Sequence, residues 1–344
     1  MTETRARIGL LHLTDSAPVL YAAAQGLFAE RGIDAVLSIE PSWANIADKL
    51  TYGLLDAAVM LPPLALAAAA GLRGARARIV VPMELTRGGN ALAGTEALAE
   101  ALGTGDPLSR ARRCVAWLRA RRTPARFAVV HAWSTHNLLL RDWLAEGGGD
   151  PDRDLVTIVV PPEQVVDALA AGRIEAFCAG APWGDVAERR GIGRVLLGTS
   201  AIRAHHPEKC LALAEPWAAA HPGAVTALLG ALLAAGRACA DPARAELLVR
   251  LLTRAGVTAA PAALRAALPG GDGPERIAFQ AGAAWFARRS QAAWFLSRMD
   301  RWGWLPPGFD QGGLARLVYR PDLLAPAAAA EGLGWPEAGV GPED

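Results

Sequence analysis

Two short stretches of this sequence, HLTDSAP (12–18) and HAWSTHN (131–137), crowd hydroxyl, carboxylate, imidazole and amide groups directly ahead of runs with helical periodicity. The first N–H groups of a helix have no partner inside the helix and give that end a partial positive charge, so turns of this kind suit a small polar molecule. A third stretch, SWANIADKL (42–50), starts a helix with Ser42 as its cap yet places a tryptophan, Trp43, in the first turn. Cationic side chains are nearly all arginine; Lys49 and Lys209 are the two lysines. Other chemistries are less well provided for. His205 and His206 are adjacent, so their side chains diverge in an extended loop, and no carboxylate or cysteine pattern completes a metal shell around them. His136 is the one obvious acid–base group in the turns, without a carboxylate partner that can be named, which weighs against an enzyme.

The elements that must position these groups repeat. RIGLLHL (7–13) reads as a strand, APVLYAAAQGLFAERG (17–32) as a helix stopped by Gly32, and IDAVLSIE (33–40) as a second strand. RFAVVHA (126–132), THNLLLRDWLAEGG (135–148, with Thr135 as cap) and DLVTIVV (154–160) follow the same order. Each is a βαβ unit, which predicts parallel sheets. The next segments match as well: ANIADKLTYGLLDAAVM and QVVDALAAGRIEAFCAG share a glycine (Gly53, Gly172), an acidic residue three places on (Asp56, Glu175) and another five places before (Asp48, Asp167). A repeat at this separation predicts two similar α/β lobes rather than a solenoid. The expected division is 1–94 for the first part of lobe 1, 95–205 for lobe 2, 206–320 for a mostly helical return to lobe 1, and 321–344 for a loosely packed tail.

Composition sets outer limits. A chain of 344 residues with 52% hydrophobic residues can fill two cores. The 35 Lys and Arg against 34 Asp and Glu give a net charge of +1, which offers no general field for nucleic acid or an anionic membrane. Cys114, Cys178, Cys210 and Cys239 are scattered and are expected to be reduced and mostly buried. The apolar IGLLHL run is too short for the central region of a signal peptide, and Gly, Pro and Arg interrupt the alanine-rich stretches, so no membrane span and a cytoplasmic location are expected.

The motifs SWANIADKL, GGNAL, STHNLLLRDWLAEGGGDPDRD, FCAGAPW and HHPEK, in this order over residues 5–310, resemble the nitrate- and bicarbonate-binding solute receptors of ABC transporters. The resemblance is strongest to their cytoplasmic relatives, the NasS-type nitrate/nitrite sensors. It implies an α/β fold of the two-lobed type II periplasmic-binding-protein kind, with a cleft between lobes and no catalysis; no cofactor or metal is expected. It also implies ligand-binding roles for Trp43, Asn90, His136, Gly180 and Lys209. Lys209 would bring the full positive charge that a desolvated anion needs, Asn90 and His136 would donate hydrogen bonds, Trp43 would give an indole N–H or a flat apolar wall, and Gly180 would let backbone come close. Relatives tend to read Gly-Glu-Pro-Trp where this chain has Gly180, Ala181, Pro182 and Trp183; losing that carboxylate should not impair anion binding.

The function implied is a cytoplasmic sensor that closes on nitrate or nitrite and so controls an ANTAR-domain antiterminator, with no direct contact to nucleic acid or membrane. One rival is a receptor of an ABC transporter for nitrate, bicarbonate or an organic anion; another is a small-molecule enzyme on the same fold. Each residue also has a plainer reading. Trp43 would staple a helix start, His136 would be a surface histidine, Lys209 an exposed loop residue paired with Glu208, and Asn90 a turn residue after Gly88 and Gly89. Asp15, Trp133 and Trp183 line the same turns by inference or serve as packing or capping groups, and they are not counted among the ligand-binding positions.

Overall fold

The computed structural model describes residues 3–274, 276–279 and 285–334. Eleven strands are assigned among them: β1 (Thr4–Leu10), β2 (Ile33–Ile39), β3 (Ala57–Met60), β4 (Ile79–Gly88), β5 (Asn90–Gly94), β6 (Ala125–Val129), β7 (Leu155–Val159), β8 (Ala176–Gly180), β9 (Arg194–Gly198), β10 (Pro207–Ala214) and β11 (Ile277–Phe279). They form two sheets, six strands in the order β11-β4-β10-β3-β1-β2 and five in the order β7-β6-β8-β5-β9. The βαβ units supply the parallel pairs, β1 with β2 and β3, and β6 with β7 and β8. The wholly parallel sheets expected from those units are not what forms. β10 runs antiparallel to β3 and β4, and β5 antiparallel to β8 and β9, because these are the strands reached by leaving one unit for the other rather than through a crossover helix.

The chain divides into two compact units, one of Met1–Arg87, Pro207–Gly256 and Phe279–Asp344, the other of Gly88–His206 and Val257–Ala278. The first crossing therefore falls before β5 rather than after residue 94, and a segment beyond residue 256 belongs to the second unit. Gly88 and Gly89 at that crossing have φ of 62° and 81°, a region that side chains other than glycine rarely adopt. The tail expected to be loose is partly built in: the helix Ala325–Ala330 buries Ala327 and Ala328, and Glu331 accepts from Arg31 Nη2 at 2.8 Å. Residues 335–344 of that tail lie outside the described residues.

The internal repeat is carried by hydrogen bonds as well as by pattern. In the first unit Arg7 donates its backbone N–H to Asp56 Oδ2 at 2.8 Å and its Nη2 to the Gly53 carbonyl at 2.8 Å. In the second, Arg126 donates its N–H to Glu175 Oε2 at 2.6 Å and its Nη2 to the Gly172 carbonyl at 2.9 Å. Gly53 and Gly172 have φ of 68° and 63°, so each glycine makes the left-handed turn that presents its carbonyl.

Local differences from the sequence reading have local causes. The first helix spans Ala17–Ala24 and breaks at Gly26 (φ 73°) before reaching Gly32, with a short 3₁₀ turn between. The helix Pro222–Ala240 has 19 residues and a mean hydropathy of 1.6, long and apolar enough to cross a bilayer, contrary to the expectation of no such stretch. It buries Leu228, Leu229, Leu232 and Leu233 and packs against the helices Ala17–Ala24 and Ala325–Ala330, which is how a core helix of the first unit behaves. All four cysteines are buried thiols outside any disulfide. Burial raises the Cys114 thiol to about 12, so it is not a nucleophile at neutral pH.

Candidate functional site

In the first unit, the side chain of Ser42 accepts from the Asn45 N–H at 3.2 Å and starts the helix Trp43–Thr51. The cap fixes Trp43 in the first turn, where it is 1% exposed. Its indole Nε1 has no acceptor among the described residues. Lys209 is not in a loop; it lies on β10 between two neighbouring strands, paired with Thr86 of β4, and is fully buried. Its Nζ stands 5.4 Å from the centre of a Trp43 ring, a cation–π distance.

That ammonium already has two carboxylate partners, Asp15 Oδ2 at 3.0 Å and Glu208 Oε1 at 2.7 Å. Burial alone would lower the pKa of Lys209, but Asp15 and Glu208 reverse this and hold it above its ordinary value. Lys209 is thus a fixed ammonium, and it does not act as an uncompensated charge. Asp15 sits in the 3₁₀ turn Thr14–Ser16 just ahead of the helix Ala17–Ala24, and its Oδ1 has no donor among the described residues. Thr86 Oγ1 is likewise buried without a partner among them. Two residues before Thr86 on the same strand, burial raises the Glu84 carboxyl to about 7, an effect reduced by Arg87, whose Nε donates to Oε2 at 3.0 Å.

In the second unit, Asn90 begins β5 and is paired across the ladder with Gly180, the last residue of β8. Asn90 is 1% exposed, and neither Nδ2 nor Oδ1 has a partner among the described residues. Its carbonyl accepts from Thr199 Oγ1 at 3.1 Å, and Thr199 Oγ1 lies 2.8 Å from His206 Nε2. Asn90 is therefore a strand residue held at both its ladder and its carbonyl rather than a turn residue. His136 is the second residue of the helix Thr135–Glu146 and is buried, which removes the surface reading. The cap of that helix is Ser134, accepting from the Asn137 N–H at 3.1 Å, one residue before the expected Thr135. Asn137 Nδ2 closes the turn on the Ala132 carbonyl at 2.9 Å.

Of the five positions singled out from sequence, the fold places Trp43 beside Lys209 in one unit and Asn90 opposite Gly180 in the other, with His136 also in the second. Asp15 and Glu208 contact Lys209 and Thr86 pairs with it in the first unit, and Thr199 contacts Asn90 in the second; Thr86 and Thr199 are not singled out by residue type and spacing. Signals for some of them exist: a carboxylate in the first βα turn, and polar residues inside the otherwise apolar run VVPMELTRG. Among the described residues, no group of three or more His, Cys, Asp and Glu side chains is placed to hold a metal ion.

An α/β chain of two sheets whose buried donors cluster at strand ends and helix starts has the features of a binding protein. The model of the NMT1-like family matches residues 1–253, and the chain belongs to that family. It is 34% identical over 347 residues to the nitrate import ATP-binding protein NrtC of Synechocystis sp., covering 96% of this chain and 50% of that protein. It is 32% identical over 346 residues to the nitrate/nitrite binding protein NrtA of Synechococcus elongatus, covering 94% of this chain and 77% of that one. The chain thus spans about half of the first relative and three-quarters of the second. The crystal structure of the periplasmic nitrate-binding protein NrtA from Synechocystis superimposes with a TM-score of 0.87 at 27% identity, over 95% of this chain and 89% of that chain. The α/β fold is that of the periplasmic binding proteins.

Proposed function

We propose that this chain is a solute-binding protein that takes up a small planar oxyanion of the nitrate, nitrite or hydrogen-carbonate kind and releases it unchanged. The observation that carries the reading is Trp43, whose buried indole N–H lacks an acceptor among the described residues while a fixed ammonium lies over its ring. An unsatisfied buried donor costs about 1–3 kcal/mol, and a ligand oxygen would recover that. Within the second unit, Asn90 Nδ2 and Thr135 Oγ1, the latter at the start of the His136 helix, are donors of the same kind, buried without a partner among the described residues. The nitrate-binding relatives support the same ligand class.

A receptor working with an ABC transporter is the form that the relatives favour, since those named above are an import ATP-binding protein and nitrate-binding proteins. The narrower reading, a cytoplasmic nitrate/nitrite sensor that holds an ANTAR-domain antiterminator until ligand arrives, rests on the sequence resemblance. Co-purification of such a partner that is lost on adding nitrate would support it over the receptor.

The ligand class is tested by thermal melting of the full chain with nitrate, nitrite, bicarbonate and sulfate. Binding to the folded state alone at a hundredfold excess over Kd adds about 2.7 kcal/mol, a rise of several degrees. A planar monoanion should give that rise and sulfate should not; equal small shifts from all four would refute the reading.

A further inference from the structure

Trp43 Nε1 and Lys209 Nζ are donors only, and Thr86 Oγ1 serves either way. Asp15 Oδ1 is an acceptor only, and it too is buried without a partner among the described residues, on a residue 4% exposed whose other oxygen is 3.0 Å from Lys209 Nζ. The formal charges of Asp15, Glu208 and Lys209 are −1, −1 and +1, which leaves −1 in sum. An anion is therefore not drawn to this cluster by net charge; it must match the donors and acceptors one by one. Nitrate and nitrite offer only acceptor oxygens. Either would set a charged oxygen against Asp15 Oδ1, at the cost of a buried, unpaired like-charge contact.

We propose that Asp15 is a specificity-determining residue of the oxyanion site, its Oδ1 accepting a hydrogen bond from an O–H carried by the ligand itself. This rests on the oxyanion reading above and narrows it to planar monoanions that keep a proton, of which hydrogen carbonate is the smallest fit. One ligand oxygen donates to Asp15 Oδ1, while the others accept from the Trp43 indole and from the Lys209 ammonium. The discrimination is strong because a buried acceptor left facing an anion loses its hydrogen bond and gains repulsion, whereas a site built around an O–H rejects analogues lacking it by large factors.

The test is calorimetric titration of the full chain with sodium bicarbonate and with sodium nitrate at the same pH, ions of nearly equal size, shape and charge. The wild-type chain should bind hydrogen carbonate at least tenfold more tightly. Asp15→Asn, which replaces the carboxylate by a side chain that can also donate, should lose that preference, the ratio of the two affinities falling toward one; Asp15→Glu should keep it. The wild-type ratio stands as a test even where a variant fails to fold. Nitrate bound as tightly as bicarbonate by the wild-type chain, or both weakened equally in Asp15→Asn, would overturn the role of Asp15 and leave the oxyanion reading intact. Binding of neither ion by the wild-type chain would overturn both.

Discussion

Lys209 Nζ lies 3.0 Å from Asp15 Oδ2 with both side chains shut away from water, so the ammonium is part of the fold before it is part of any binding event. By sequence alone, Lys209 reads either as the group that neutralises the ligand or as a loop residue paired with Glu208. The two carboxylates alter the first role, because the ammonium they hold in place over the face of Trp43 is a fixed donor whose charge they more than offset.

Lys209→Ala should accordingly be a stability variant as much as a binding variant. Removing one partner of a buried ionic cluster leaves carboxylates without compensation, typically at about 3–5 kcal/mol. Urea denaturation followed by tryptophan fluorescence should show that loss. A variant as stable as the wild-type chain would mean that Asp15 and Glu208 find other partners.

Trp43→Phe keeps the apolar ring under the ammonium and deletes the indole N–H. A hydrogen bond to a charged group contributes about 1.5–3 kcal/mol, so oxyanion affinity should fall by about tenfold or more with little change in stability. Unchanged affinity, measured by calorimetry, would show that the indole contributes only its flat face.

Glu84 ties stability to pH. Its carboxyl is raised from the ordinary 4.5 to about 7 by burial, so the folded chain keeps a proton that the unfolded chain gives up across that window. Stability should therefore fall as pH rises from about 4.5 to 7, by at most roughly 3 kcal/mol, and the loss is complete above that range. Glu84→Gln should flatten this part of the profile and stabilise the chain at pH 8; denaturation midpoints at pH 5 and pH 8 for both proteins check it.

Gly236 sits inside the helix Pro222–Ala240, directly under the indole of Trp285. A methyl group there would overlap the ring carbons, so Gly236→Ala should destabilise by about 1–3 kcal/mol despite the better helix propensity of alanine. A higher melting temperature in the variant would contradict this packing.

Much of the fold is legible in the sequence because it is periodic. The βαβ order, the Gly53 and Gly172 turns and the acidic residues three places on all follow from local pattern, and the Arg7–Asp56 and Arg126–Glu175 contacts are what those patterns build. The reversed strands are not legible, since β10 reads like any buried strand and nothing in CLALA gives its direction. The crossing at Gly88 is legible only approximately, because the stretch rich in glycine and turn residues that marks it runs on past residue 100. At the site, Trp43 and Lys209 stand out by residue type, one in an odd helical position and the other rare. Asp15 does not, because a carboxylate ahead of a helix is ordinarily a cap; here the cap role is unused and the side chain turns to an amine 194 positions away in sequence. That pairing is a property of the packed unit, not of either segment.

The central claim is that this chain binds a planar oxyanion through buried, preplaced donors. Isothermal titration calorimetry of the full chain with nitrate, nitrite and bicarbonate tests it most directly. The account predicts one-to-one binding of at least one of them with a Kd in the micromolar range, about −8 kcal/mol, and no heat from sulfate. Titrations flat for all three planar ions at millimolar concentration would contradict it.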